Sequence, residues 1–186
     1  MQARKHIVIA ASLLTLALAA CSRPAPEAPA APVAAAPTAE AVDAREQANL
    51  ANFDDLDFNV YSNQKWDELS RSHAADITVH WPDGRVTHGI ADHIADLKQQ
   101  FVFAPDTKIK THPIKIAQGD YTAVAGVMEG TFSQPMPVPG GKPIAPTNKP
   151  FKLDMVTIGR WKDGVMQEEW LMWDNQAFMK QIGLGQ

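Results

Sequence analysis

A carboxylate among large apolar side chains is the first place where this sequence offers chemistry. In the run Trp161 to Asp174, residues Val165 to Trp173 are apolar on both parities, and Asp174 falls on the parity of Trp170 and Met172. Apolar surroundings disfavour the charged form of an acid, so its pKa rises toward the pH at which it can both take and return a proton. That behaviour suits enolisation, isomerisation or cyclisation of a carbonyl compound. Asp174 also stands directly before a predicted terminal helix, where Asp is a favoured N-cap, and the two roles are compatible. His80, beside Trp81 at the end of a predicted strand, is the second candidate. Its imidazole could donate to a developing enolate oxygen, or it could be a wet ring at a strand end. Trp81, Met128, Met155, Trp170 and Met172 read as pocket wall or core, methionine being suited to irregular apolar partners. Asp154, between Leu153 and Met155, is expected to face solvent.

The elements that must position these residues follow from periodicity. Asp163-Gly164 is a strong two-residue hairpin signal, since a tight primed turn needs positive φ. A β-strand that is apolar on both faces must be covered on both. The helices of the chain would cover one face; Leu171 and Trp173 on the other predict a partner subunit, a homodimer. Leu50, Phe53, Leu56 and Val60 recur at helical spacing over 43–62, and Trp66 to His73 reads as a second, short helix. Ile77 to Trp81 is a first strand. Gly89 precedes a third helix with the stripe Ile90, Ile94, Leu97 and Phe101, stopped by Pro105-Asp106. Lys108 to Ile116 and Tyr121 to Phe132 are strands about Gly119-Asp120, with His112 on the polar parity. Ser133 to Pro150 is too rich in proline to pair in a sheet, and Gln176 to Ile182 is a closing helix. Helices first and then mostly antiparallel strands specify an α+β layer architecture.

Composition narrows the function further. Met1 to His6 is a basic start, and Ile7 to Ala20 is an apolar run too short to span a bilayer, ending in small residues. Residues 1–20 therefore read as a secretory signal. Leu18-Ala19-Ala20-Cys21 resembles a bacterial lipobox, which implies that Cys21 is lipidated and anchors the chain to a membrane. Ser22 in the next position implies the outer membrane, facing the periplasm. Residues 21–42 are an Ala/Pro-rich tether, and 43–186 form one domain. Cys21 is the only cysteine, so no internal disulfide or thiolate cluster exists. Without Arg4 and Lys5 the chain carries 15 Lys+Arg against 21 Asp+Glu, a net charge of −6, which argues against nucleic acid as partner. His88 and His93 are five apart, not the four that place two imidazoles on one helical turn, so no metal site is expected. There is no nucleophile elbow, and Gly140-Gly141-Lys142 lies among prolines and opens no helix, so no phosphate loop is formed.

Several segments together resemble the SnoaL-like polyketide cyclases of the nuclear transport factor 2-like fold. They are His73 to His80, Thr87-His88-Gly89-Ile90, Gln118-Gly119-Asp120, Glu129 to Phe132, Ala145-Pro146-Thr147 and, most specifically, Arg160 to Gly164 with Glu169-Trp170, Asp174 and Gln181-Ile182-Gly183. The resemblance implies a cone-shaped α+β barrel, with N-terminal helices packed on a curved, mostly antiparallel sheet. It also implies Asp174 as the catalytic base, no metal and no organic cofactor. No residue of the arm Phe151 to Trp161 matches the helper histidine of that family. The expected protein is an anchored envelope protein with a pocket for a small apolar organic molecule. It is either a cyclase or isomerase, or a ligand-binding or scaffolding module without turnover.

Overall fold

The computed structural model describes residues 39–185; the signal segment, Cys21 and most of the tether lie outside them. Helix α1 (Ala39–Asp55) runs on through a π-helical turn, Leu56–Val60, and a 3₁₀ turn, Tyr61–Asn63. Gln64 stops it in the left-handed region at φ 55°. Leu50, Phe53, Leu56 and Val60 are all buried, as their spacing requires. The wider π turn also turns Asp57 inward, between Leu56 and Val60. The second helix is a 3₁₀ segment, Trp66–Arg71. It is shorter than its pattern suggests, because His73 already belongs to strand β1 (His73–His80).

Strand β2 (Val86–His88) pairs back on β1, and helix α2 (Ile90–Phe103) follows. The single strand expected over Lys108 to Ile116 is two, β3 (Lys108–Ile109) and β4 (Ile114–Gln118). Both pair with β5 (Tyr121–Thr131): Ile109 opposes Met128 and Ile114 opposes Ala125. Four residues on one side, Lys110 to Pro113, thus face two on the other, Gly126 and Val127. Pro113, which has no N–H to donate, falls in the gap, and His112 turns inward there. Strands β6 (Pro150–Lys162) and β7 (Val165–Trp173) form the last hairpin, with Asp163 at φ 52° and Gly164 at φ 81°, as a type I′ turn demands. Helix α3 (Asn175–Gln181) closes the chain. The sheet order is β2-β1-β7-β6-β5-β3, with β4 also on β5. Every pairing is antiparallel except β1 with β7. The fold is α+β, helices on one face of a curved, open sheet.

Pleat parity decides which side chains meet the helices. Val124 and Met128 of β5, Leu153 and Met155 of β6, and Met166 and Leu171 of β7 are buried on the inner face. The outer face carries the rungs Ala123–Ile158–Trp170 and Ala125–Val156–Met172, with Val156 and Met172 exposed. The face assigned from sequence is therefore reversed. Leu171 lies inside, and it is Trp170 and Met172, not Leu171 and Trp173, that a partner subunit would meet. Asp154 faces solvent, as expected.

Gly159 opposes Glu169 across the β6–β7 ladder, next to the irregularity between Arg160 and Trp161. A Cβ there would lie 2.6 Å from Met166 Sδ and 2.9 Å from Trp161 Nε1, both in fully packed side chains. Gly159→Ala is expected to cost about 1–3 kcal/mol through overpacking, read as a lower midpoint in chemical denaturation.

Candidate functional site

Between the inner face of the sheet and the helices lies a cavity of about 250 Å³. Its wall is mostly apolar, including Leu56, Leu97, Met128, Met155 and Phe178. Two buried groups of titratable side chains open onto it, beside the more exposed ion pairs of Arg85 with Asp83 and Asp96. Their placement follows from the π turn, the start of β1, the inner stripe of α2 and the inner parity of β7.

The first group is His73, His93 and Glu169. All three are buried, the side chains keeping 1%, 2% and 5% of their exposure. Glu169 Oε2 lies 3.3 Å from His93 Nε2 and 3.8 Å from His73 Nε2, and the two rings are 5.0 Å apart. Neither distance comes with hydrogen-bond geometry: Glu169 Oε2, His73 Nε2 and His93 Nδ1 have no hydrogen-bond partner among the described residues. On the far side of its ring, His73 Nδ1 lies 2.8 Å from Ser72 Oγ, which itself donates to the carbonyl of Leu69. Burial pulls the pKa of His93 down to about 4, against the charge of Glu169, so its ring is neutral at pH 7. Burial alone would raise the pKa of Glu169, yet the neighbouring His73 and His93 outweigh it, and the carboxyl stays below its usual range.

The second group starts at Asp57. Its Oδ2 lies 2.8 Å from His112 Nε2, His112 Nδ1 lies 2.8 Å from Asp54 Oδ1, and Lys115 donates to Asp54 Oδ2 at 2.6 Å. Burial drives the Asp57 pKa up more than its bond to His112 lowers it. Asp54 is less buried, and its bonds from Lys115 and His112 prevail over burial to lower its pKa. Burial lowers and the two carboxylates raise His112, with a net rise. Tyr61 donates to Met128 Sδ at 3.6 Å, and burial pushes its own pKa up.

The residues chosen from sequence fall on both sides of the sheet. Trp81, Met128 and Met155 line the cavity. Asp174 is exposed and accepts from the amide of Ala177 at 2.9 Å, so the structure places it as the N-cap of α3, outside the cavity wall. His80 stacks on Trp170 at 5.0 Å and bonds Glu168 at 2.9 Å on the outer face. Bonds from His80 and Arg160 in turn hold Glu168 below the usual carboxylate range. Trp170 and Met172 share that outer parity and do not line the cavity either. The acid that β7 sends into the pocket is instead Glu169, one position before Trp170. His93 could have been found too: with Ile90, Ile94, Leu97 and Phe101 it completes the inner stripe of α2. A local spacing rule had no means of joining it to residues 20 and 76 positions away.

The raised pKa of His112 has a defined sign. A histidine whose pKa is higher folded than unfolded stabilises fully below the unfolded value, about 6.5, and loses that contribution as pH rises through the folded value. Breaking a buried pair costs about 3–5 kcal/mol. His112→Asn is therefore expected to lose about that much near pH 6 and clearly less at pH 9, compared by denaturant midpoints of variant and parent.

Comparison with known proteins agrees with this architecture. The family model described as SnoaL-like polyketide cyclase matches residues 56–182. Among solved structures, IdmH from Streptomyces antibioticus, a candidate polyketide cyclase, is 23% identical with a TM-score of 0.62, over 73% of this chain and 98% of its own. A candidate SnoaL-like polyketide cyclase from Jannaschia sp. CCS1 is 19% identical, TM-score 0.64, over 76% and 95%. A protein of ketosteroid isomerase-like fold from Catenulispora acidiphila, in complex with trimethylamine, is 15% identical, TM-score 0.57, over 73% and 92%. At these identities the likeness concerns the fold alone. Among curated proteins, none matches.

Proposed function

From the premise that this chain belongs to the SnoaL-like polyketide cyclase family, we propose that its cavity takes a small, largely apolar carbonyl compound and moves a proton on it. Asp57 is the base. The observation that carries this is one apolar cavity holding two buried acids whose environments push them apart, Asp57 upward and Glu169 downward. Such a pair divides the labour: the acid with the raised pKa is the one suited to take and return a proton, while the other stays charged. The unpaired atoms of His73, His93 and Glu169 receive the polar end of the ligand. Isomerisation and ring closure are the outcomes this supports, with Asp57 in place of Asp174.

The test is deuterium uptake next to the carbonyl of bound small ketones and esters, followed by NMR in D₂O. Asp57→Asn is expected to slow the exchange by about 10²–10⁴-fold while ligand binding persists. Exchange undiminished in Asp57→Asn would exclude Asp57 as base. Binding without any exchange in the parent would leave the non-catalytic ligand-binding reading.

The location is part of the same proposal: the chain is lipidated at Cys21, tethered in the cell envelope and paired with a second copy through its sheet. The lipobox-like Leu18 to Cys21 supports the anchor, and Cys21→Ala is expected to abolish incorporation of labelled palmitate. For the homodimer, the support is the outer apolar stripe, which Ile114 and Ile116 of β4 extend beside Val156 and Met172. Met172→Asp is expected to shift the particle mass from two chains to one in light scattering; a monomeric parent would contradict the dimer.

A further inference from the structure

The His73–His93–Glu169 cluster is more specific than a polar patch, because the protonation of one ring follows from its hydrogen bonds. Ser72 has one hydroxyl proton, and it goes to the carbonyl of Leu69. The 2.8 Å contact between Ser72 Oγ and His73 Nδ1 must then be donated by the ring. In the neutral imidazole this leaves a lone pair on His73 Nε2, the atom that faces Glu169 Oε2 without a partner. His93 presents Nε2 to the same oxygen at 3.3 Å. Two ring nitrogens and a carboxylate oxygen thus converge on one point in the buried wall of the cavity. Buried polar atoms without partners are costly in low dielectric, and a cation at that point would be their common partner.

We propose that this point is a seat for a divalent first-row transition ion, held by His73 Nε2, His93 Nε2 and Glu169 Oε2. The candidate ligand atoms all lie within 4.8 Å of one another, and Glu169 Oε2 is 3.3 and 3.8 Å from the two nitrogens. Tetrahedral ligands at about 2.0–2.1 Å from zinc stand about 3.3 Å apart, so small side-chain rotations complete the set. Two imidazoles and one carboxylate are the donor set of open zinc and non-haem iron sites. All three residues line the cavity, so the remaining positions of the ion face the ligand space. Ser72 is the outer partner that fixes the tautomer of His73, as metal-bound histidines require. An ion here would polarise a carbonyl oxygen. Its binding does not depend on Asp57 acting as a base, so either statement can fail alone.

The test is calorimetric titration of the chelator-stripped chain with Zn(II), with visible absorption of Co(II) as a second reading. One ion per chain is expected. Glu169→Gln and His73→Ala should each weaken binding by more than about 100-fold, and Ser72→Ala by about 10–100-fold, the range for an outer partner. Independently of any variant, ¹⁵N spectra of the parent should show the ring nitrogens of two buried histidines shifting on Zn(II) addition. Absence of Zn(II) binding by the folded parent, or ring signals that do not move, would overturn the site. Undiminished affinity in a folded His73→Ala or Glu169→Gln chain would do the same.

Discussion

A charged carboxylate buried on the central strand is the constraint around which this molecule is arranged. Glu169 sits on β7, with β1 on one side and β6 on the other, and its side chain is almost wholly out of water. Removing a carboxylate from water is costly unless complementary groups surround it. Those groups come from β1 and α2, as His73 and His93. The parallel pairing of β1 with β7 brings the first within reach, and the packing of α2 over the sheet brings the second. The shift in register between His73 and Thr78 belongs to the same arrangement. His73 opposes Met166 while Val79 opposes Glu169, so the strand slips along its partner between the two rungs.

The second acid repeats this logic with a different outcome. Asp57 is reached by a local widening of a helix rather than by a strand, and its partner His112 by a break in a strand at Pro113. Both are departures from regular structure, and both turn a polar side chain inward. Regular elements supply the apolar wall of the cavity; irregular ones supply much of its polarity.

The legibility of the sequence follows the same division. The helical stripes, the Asp163-Gly164 turn and the α+β order could be read because each depends on neighbours within a few residues. The choice between the two faces of β7 could not. Its residues are apolar on both parities, and only the helices packed from elsewhere decide that Glu169, Leu171 and Trp173 lie within while Trp170 and Met172 lie without. A correct alternation therefore sets Asp174 with Trp170 and Met172, but on the face away from the cavity. His112 shared that fate: a polar parity in an uninterrupted strand becomes a buried position once the strand breaks. His93 was visible in the stripe of α2, but its partners lie in other elements.

The order of the elements along the chain also sets when the cluster can exist. His73 and His93 leave the ribosome long before Glu169, and the strand that carries Glu169 is the last of the sheet. Until β7 docks, β1 has only the short β2 beside it, and two histidines face no acid. Closing that pair joins segments nearly a hundred residues apart, a slow, entropy-limited event. The molecule thus matures from its far end: a nascent or clipped chain lacking its final segment has most of the strands, but not the acid that completes the His73–His93 cluster.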